Sequence, residues 1–256
     1  MSHAPQATAP RPLTPAPGVG GPPTAVRARR RGRHFAGVAM LVVGVLLICE
    51  VLVTLIWQEP FTALYASSRQ AQAARQLQAL DRAALPASAS AQLAQLNGAD
   101  ARMAFLAQRL RERTAGGQAL GRIQIPRIGV SFAFVQNTDE SSLSKGPGHY
   151  ADTVLPGEHG TVAIAGHRTT YLAPFRHIDS LHHGDRVLLS MPYGQFVYRV
   201  ESSRVVLPSD VAVIRREQHD RVVLTACTPL FSAAKRIVVS ARLESATPRG
   251  AALTRQ

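Results

Sequence analysis

The segment that decides the fold lies near the end of the chain, where residues 221–243 have the sequence RVVLTACTPLFSAAKRIVVSARL. Two runs rich in Val and Ile, residues 221–225 and 236–243, flank a short connection that contains Cys227 and Pro229. Because β-branched residues favour extended backbone and short connections join antiparallel neighbours, the segment predicts two consecutive antiparallel strands.

The midpoint of the connection predicts the register of this strand pair. If the chain reverses between Phe231 and Ser232, Cys227 lies opposite Arg236. Directly opposed residues project to one face, with their Cβ atoms about 4.5–5.5 Å apart. A guanidinium in that position would favour the thiolate of Cys227 and could donate hydrogen bonds to an oxyanion during acyl transfer. An ordinary cross-strand or surface charge is the alternative for Arg236.

Six further short runs rich in Val and Ile precede this pair: residues 122–125, 130–135, 161–165, 186–191, 195–201 and 204–207. Turn signals separate them: Gly146-Pro147-Gly148, Pro156-Gly157, His183-Gly184-Asp185 and Pro192-Tyr193-Gly194. Eight short strands without alternating helices predict that residues 119–243 form a mainly β domain, a barrel or a sandwich. Residues 244–256 have little apolar content, which predicts a flexible tail.

Residues 58–118 are rich in Ala, Gln, Arg and Leu, which predicts helices. Apolar residues recur there at helical spacing: Leu77, Leu80, Met103, Leu106 and Leu110. Pro86 and Gly98 interrupt the pattern. We therefore expect two helices that form a stalk or linker, with the apolar stripes packed helix against helix.

Residues 35–57 predict a transmembrane helix, because they contain one charged residue, Glu50, and a helix of this length covers about 34 Å. The arginines between residues 27 and 33 precede the span and Glu59 follows it. The positive-inside bias therefore places the N-terminus in the cytosol and the rest of the chain outside. A cleaved signal peptide with its site at Ala66-Ser67-Ser68 is the alternative, although its leader would be long. Glu50 is assigned no function.

Residues 1–34 predict a disordered, basic cytosolic tail, since residues 1–26 contain seven prolines. The net charge of the chain is +13, but six arginines and no acidic residue lie in this tail, which leaves +7 for the remainder. Because the excess is partly local, it does not favour a nucleic-acid partner.

The chain has two cysteines, which excludes a disulfide framework and a Cys-rich zinc module. Cys49 lies in the predicted span, so Cys227 is a lone thiol on the oxidising side, where it is either an inert buried residue or a nucleophile. A cysteine nucleophile needs a proton acceptor, and histidine is the best suited side chain near neutral pH.

The predicted β domain has seven histidines: His149, His159, His167, His177, His182, His183 and His219. His167 follows the run at residues 161–165 and so stands at a strand end, where a rigid scaffold presents reactive groups. Neighbouring strand residues such as His182 and His183 point to opposite faces, and no cysteine or carboxylate cluster accompanies them. We therefore expect no metal site and no cofactor.

Three motifs occur in order: GPGHY at 146–150; AIAGHRTTY at 163–171 with APF at 173–175; and LTACTP at 224–229 with SAAKR at 232–236. Together they resemble the sortase family, and most closely its actinobacterial class E, over roughly residues 119–243. The resemblance implies an eight-stranded β-barrel and the catalytic residues His167, Cys227 and Arg236. It also implies that Tyr150 and His149 contact substrate, although Tyr150 could equally be a structural residue.

The resemblance further implies a membrane-anchored cysteine transpeptidase of secreted proteins that carry a C-terminal sorting signal. The signal, expected to be similar to Leu-Ala-x-Thr-Gly, would be cut between Thr and Gly. The product would be held as a thioester on Cys227 and passed to an amine of a peptidoglycan precursor or of a pilin lysine. His167 would protonate the leaving amine and deprotonate the incoming one. Arg236 would stabilise the oxyanion, together with a backbone N–H near Thr228.

The chain departs from the family pattern Thr-Leu-x-Thr-Cys, because Val223 and Ala226 replace the two threonines. The lost hydroxyls could alter positioning or substrate preference, but no catalytic group is missing. Two alternatives stay open: a thiol hydrolase that uses the same site, and a surface-anchored binding domain whose Cys227 is inert.

Overall fold

The computed structural model describes residues 25–57 and 60–253, with side chains from 35 to 53 and from 63 to 253. Residues 1–24 of the predicted cytosolic tail lie outside the described residues. So do residues 58–59 at the start of the predicted stalk and residues 254–256 of the predicted flexible tail.

Helix α1 (Ala25–Trp57) contains a 19-residue stretch, Phe35–Val53, that is long and apolar enough to cross a membrane. This stretch lies where the sequence predicts the span. The helix begins ten residues earlier than expected, so the part of the tail from 25 to 34 is helical rather than disordered. Residues 25–34 contain no proline, and the Ala and Arg residues among them favour a helix.

The segment predicted as a two-helix stalk contains three helices: α2 (Pro60–Arg82), α3 (Ala87–Ala94) and α4 (Ala99–Arg113). The breaks occur where the sequence predicts them, at Pro86 and Gly98. Gly98 has a φ of +88°, a conformation that glycine adopts without strain.

Helices α2 and α4 pack on the barrel, a contact that the expectation of a stalk or linker did not include. Met103, Leu106 and Ala107 of α4 are buried in the same cluster as the barrel interior. From α2, the Gln70 side-chain amide donates to the Ala133 carbonyl over 2.9 Å, and its oxygen accepts from the Ala133 N–H over 2.8 Å. Apolar residues of α4 therefore stabilise a contact between this helix and the barrel.

Eight strands form a closed barrel in the order β1-β2-β3-β4-β7-β8-β6-β5, which confirms the predicted architecture. They are β1 (Ala119–Ile125), β2 (Val130–Gln136), β3 (Gly148–His149), β4 (Thr161–Ala165), β5 (Arg186–Met191), β6 (Gly194–Val206), β7 (Arg221–Thr228) and β8 (Lys235–Pro248). A short helix, α5 (Glu140–Leu143), lies between β2 and β3. The pairs β2/β3 and β4/β7 are parallel and the others are antiparallel.

Two strands differ from the sequence prediction. The runs at 195–201 and 204–207 belong to one strand, β6, which pairs along β8 with a register shift between Val200 and Ser202. The remaining strand, β3, was predicted as a turn because of its glycine and proline context. Its two residues pair with β2 on one side and with β4 on the other, and they thereby close the barrel.

The predicted flexible tail from 244 is ordered as far as the structure describes it. Strand β8 continues to Pro248 because it pairs with β6 as far as Gly194. A short 3-10 turn at Gly250–Ala252 follows, and its Ala252 side chain is buried. The sequence prediction failed here because pairing with a long partner strand, rather than apolar content, holds the segment.

The strands next to the site alternate between the two faces of the barrel. On β7, Leu224 and Ala226 belong to the interior cluster, whereas Val223 belongs to a small cluster on the outer face. Cys227 therefore lies on the outer face with Val223. Arg236 lies on the same face from β8, since its neighbour Ile237 belongs to the interior.

Candidate active site

Cys227 and Arg236 are paired directly across strands β7 and β8, as the midpoint of their connection predicts. Opposed residues of an antiparallel pair have Cβ atoms about 4.5–5.5 Å apart and project to one face. Both residues are half-buried. The strands therefore have the register that the midpoint predicts, and the role of Arg236 beside the thiol stays a prediction.

The parallel pairing of β4 with β7 brings His167 to the same place. The register is constant as far as Ala165 and Thr225, and the N–H of Gly166 donates to the Thr225 carbonyl over 3.0 Å. His167 and Cys227 each lie two residues beyond that last pair. Strand β4 ends at Ala165, whereas Cys227 still lies within β7. Because neighbouring strands are about 4.8 Å apart, the two backbone segments are adjacent where β4 ends.

The His167 ring is half-buried, and its centroid lies 5.2 Å from that of Tyr171. Its Nε2 is buried and has no hydrogen-bond partner within residues 63–253. Burial lowers the pKa of His167, and the negative charge of Glu140 partly opposes this effect. The imidazole is therefore mainly neutral at pH 7 and able to accept a proton.

The Arg236 guanidinium is held against the loop between β7 and β8. Its Nη1 donates to the carbonyls of Ala233 and Lys235 over 2.9 and 3.1 Å. These bonds use one nitrogen, which leaves the donors of Nε and Nη2. Pre-oriented donors on the same face as the thiol are what an oxyanion requires.

Tyr150 lies on this outer face. Its hydroxyl is 3.0 Å from Oγ1 of Thr225, two residues before Cys227. The ring packs on the outer cluster, whose members are Ala163, Val206, Val213, Ile214, Val223 and Val238. Tyr150 therefore lies beside β7 on the face of Cys227 and packs on the outer cluster beneath that face.

His149 lies elsewhere, and its predicted contact with substrate is wrong. The residue is fully buried, its Nδ1 lies 3.0 Å from Oε1 of Gln136, and its Nε2 lies 3.0 Å from the Val154 carbonyl. Burial lowers the pKa of His149 to about 4. The motif predicted a site residue, but β3 turns this side chain into the barrel.

The two positions that depart from the threonine pattern have different surroundings. Val223 is fully buried in the outer cluster beneath the site, whereas Ala226 faces the barrel interior. Only Val223 therefore shares a face with Cys227. Thr225, at the variable position of the pattern, supplies a hydroxyl on that face.

Sequence reasoning missed Arg168 and Glu140. The Arg168 side chain is 3% exposed and donates to Oγ1 of Thr228 over 3.2 Å. Arg168 stands beside His167 in the second motif, so its position was a signal, but its partner lies 60 residues away. Glu140 precedes β3 and has no motif around it.

A cavity of about 530 Å³ lies between the helices and the barrel, and its lining includes Leu80, Leu106, Arg109 and Tyr193. His167, Cys227 and Arg236 do not line it. The candidate site is thus an outer surface of the barrel and is separate from this cavity. Among the described residues, no group of three or more His, Cys, Asp or Glu could hold a metal ion.

The sortase domain family model matches residues 123–244. The chain is 35% identical over 127 residues to Sortase D of Bacillus subtilis, a match that covers 48% of this chain and 63% of that relative. It is 30% identical over 149 residues to Sortase SrtE1 of Streptomyces coelicolor, covering 52% of this chain and 42% of that protein. The chain thus spans less than two thirds of the length of these relatives. The match to SrtE1 agrees with the class E-like motifs.

Solved structures show the same fold. The Sortase D5 transpeptidase of Clostridium perfringens superposes with a TM-score of 0.56 at 23% identity, over 70% of this chain and 99% of that one. The SrtF sortase of Corynebacterium diphtheriae superposes with a TM-score of 0.50 at 29% identity, over 53% of this chain and 89% of that one. Family model, relatives and barrel topology agree that residues 123–244 form a sortase domain.

Proposed function

We propose that this chain is a membrane-anchored cysteine transpeptidase in which Cys227 is the nucleophile, His167 the acid and base, and Arg236 the oxyanion donor. The substrate is a secreted protein with a C-terminal sorting signal similar to Leu-Ala-x-Thr-Gly. The acceptor is an amine of a peptidoglycan precursor or of a pilin lysine. The observation that carries the proposal is the register Cys227–Arg236, with His167 beside Cys227 at the end of the parallel strand.

In the first half of the reaction, His167 accepts the proton of the Cys227 thiol as the sulfur attacks the threonine carbonyl carbon, and the carbonyl oxygen becomes an oxyanion. Arg236, with its guanidinium already fixed by the loop carbonyls, donates to that oxygen. The C–N bond to glycine then breaks, and His167 donates the proton that the leaving amine needs. The product is a thioester on Cys227.

In the second half, an amine attacks the thioester carbonyl and loses a proton to His167. The C–S bond breaks, and the Cys227 thiolate leaves. Water in place of the amine would give hydrolysis by the same steps. A lowered His167 pKa suits this cycle, because in each half the ring must accept a proton near neutral pH and then give it up, first to the leaving amine and later to the Cys227 thiolate.

Exposed apolar side chains flank the outer face and supply a surface for the apolar residue of the signal. They are Leu207, Val211 and Phe231, with exposed fractions of 60%, 64% and 68%. Val211 lies on the loop between β6 and β7, and Phe231 lies on the loop between β7 and β8. Tyr150, next to Thr225, contacts the signal near its scissile bond in this proposal.

The stretch Phe35–Val53 supplies a single-pass anchor. The arginines that precede it favour a cytosolic N-terminus, which places the barrel outside the cell. A membrane-impermeant maleimide added to intact cells should label Cys227. Labelling only after the cells are lysed would contradict this orientation.

The decisive experiment incubates the full chain in detergent micelles with a Leu-Ala-x-Thr-Gly peptide and follows the protein by mass spectrometry. We expect an added acyl fragment on Cys227 and release of the part that begins with glycine. An added amine should convert the adduct to a ligated product. Release of free acid at the same rate with and without amine would favour a hydrolase.

The second cysteine provides a matched control. Cys49→Ala should still form the adduct, whereas Cys227→Ala should not. No adduct and no cleavage in the wild-type chain, with identical behaviour of Cys227→Ala, would favour a binding domain with an inert thiol.

A further inference from the structure

Arg168 is a buried cation at the edge of the candidate site. Its side chain is 3% exposed, which is rare for arginine unless the charge is paired. Nε and Nη2 both donate to the Arg176 carbonyl, over 3.2 and 3.1 Å, and Nη2 also lies 2.7 Å from Oδ2 of Asp179. Nη1 donates to Oγ1 of Thr228 over 3.2 Å. One guanidinium thus joins three separate parts of the chain.

The hydrogen bond from Arg168 to Thr228 lies just beyond the end of the pairing between β4 and β7. The last backbone hydrogen bond between the β4 and β7 segments runs from Gly166 to Thr225. Beyond it, the Arg168 side chain forms the next direct link, to Thr228. His167 and Cys227 lie between these two links, one on each chain segment. Their separation is therefore set at one end by the sheet and at the other end by Arg168.

Arg168 also holds the loop that covers the imidazole. Three consecutive residues of this loop, Tyr171, Leu172 and Ala173, have φ values of +50°, +64° and +40°, which side chains other than glycine rarely adopt. Such a turn persists only where its surroundings fix it. The bonds from Arg168 to the Arg176 carbonyl and to Asp179 fix its far end, and Tyr171 contacts the His167 ring.

We infer that Arg168 is a positioning residue, which sets the separation of His167 from Cys227 through its bond to Thr228 and the orientation of the His167 ring through the loop. This inference rests on the proposed function. A lysine could not replace Arg168. The three donors of an ammonium diverge from one nitrogen and cannot reach the acceptors on three sides that the planar guanidinium reaches.

The test compares Arg168→Lys, Thr228→Val and the double variant in the full chain. Each single variant should lower kcat on the order of 10- to 100-fold with a smaller change in KM, since small displacements of catalytic groups have effects of this size. The kcat of the double variant should be no lower than that of the less active single variant, because both substitutions remove the same hydrogen bond. Thr228→Ser keeps the hydroxyl and should restore activity. Arg127→Lys, at an exposed arginine, is the matched control and should behave as wild type.

A second measurement separates this inference from the proposed function. Alkylation of Cys227 by iodoacetamide, in a Cys49→Ala background, needs no peptide substrate. If Arg168 positions His167, the pH profile of the alkylation rate should shift in the same direction in Arg168→Lys as in His167→Ala. A lower melting temperature with an unchanged pH profile and unchanged kcat would show that Arg168 only supports the loop. Additive losses in the double variant would also overturn the inference. The wild-type chain could fail to cleave the peptide while Arg168→Lys and His167→Ala still shift the pH profile of alkylation in the same direction. That result would count against the proposed function and not against this inference.

Discussion

His149 and His167 stand on neighbouring segments of the barrel, and burial lowers the pKa of both, but only one of them is available for chemistry. His149 points inward, is fully buried, and has hydrogen-bonding atoms close to both ring nitrogens. His167 lies at the end of β4, on the side of Cys227, with a buried Nε2 that has no partner in the described chain. A depressed pKa therefore does not distinguish a structural histidine from a reactive one. The unsatisfied nitrogen does, because a folded chain leaves few buried polar atoms unpaired without a reason.

The largest expected effect is the loss of activity when His167, the histidine on the outer face, is replaced. His167→Ala should lower kcat/KM by about 10³-fold, within the range for loss of a general acid and base, and should leave the free energy of unfolding nearly unchanged. Steady-state cleavage of the signal peptide and chemical denaturation measure the two quantities. The acid limb of the wild-type kcat/KM profile should lie below pH 6.5, because burial lowers the pKa of His167 and activity falls as that ring becomes protonated. A wild-type level of activity in this variant would end the distinction between the two histidines.

Arg236→Ala should have the next largest effect, lowering kcat by about 10²-fold, because it removes a pre-oriented donor from the oxyanion. Arg236→Lys keeps the charge but loses the planar fork that also binds the loop carbonyls, so it should recover only part of the rate. A control at the adjacent Lys235, which points to the opposite face, should have little effect. Equal losses at Lys235 and Arg236 would mean that general charge, rather than register, matters here.

The inner histidine should affect stability instead of rate. Its pKa is about 4 in the folded chain against 6.5 when unperturbed, so between these values the unfolded chain binds more protons. Its contribution to stability is therefore complete above pH 6.5 and is lost as the pH falls towards 4, by about 3 kcal/mol in total. His149→Gln should remove that part of the pH dependence.

Chemical denaturation at several pH values between 4 and 7 measures how the free energy of unfolding depends on pH. The proteins compared are the wild type, His149→Gln and the exposed-loop control His182→Gln. His182→Gln should keep the wild-type slope. A wild-type slope in His149→Gln would show that another group is responsible.

The smallest effect on kcat should come from restoring the two threonines of the family pattern, one on each face of β7. Val223→Thr places a hydroxyl in the apolar outer cluster and should cost about 1–2 kcal/mol. Ala226→Thr adds volume to the packed barrel interior and should cost about 1–3 kcal/mol. Neither adds a catalytic donor, so kcat should change little in both. A marked change of kcat in Val223→Thr alone would show that the floor beneath Cys227 tunes the site, whereas the same change in Ala226→Thr would contradict the assignment of faces.

Much of the site could be predicted because its strongest feature is local. Cys227 and Arg236 lie in one hairpin, so a symmetric reversal at residues 231–232 was enough to place them opposite each other. The position of His167 at a strand end also followed from a short apolar run. The role predicted for His149 failed, because a motif lists residues without their direction, and the inward-facing His149 is directly followed by the outward-facing Tyr150.

The sequence by itself determined the membrane-span candidate, the mainly β class of the domain, the helix breaks at Pro86 and Gly98, and the opposition of Cys227 and Arg236. All of these depend on short-range rules, namely backbone preference, the alternation of side chains along a strand, and the geometry of a short connection. Only the tertiary structure decided that His149 is buried inside the barrel, that the helices pack on the barrel, that a two-residue strand closes the sheet, and that Arg168 donates a hydrogen bond to Thr228. The reason is that these contacts join segments tens of residues apart, and their partners are chosen by closure of the barrel and burial of its core rather than by any local pattern.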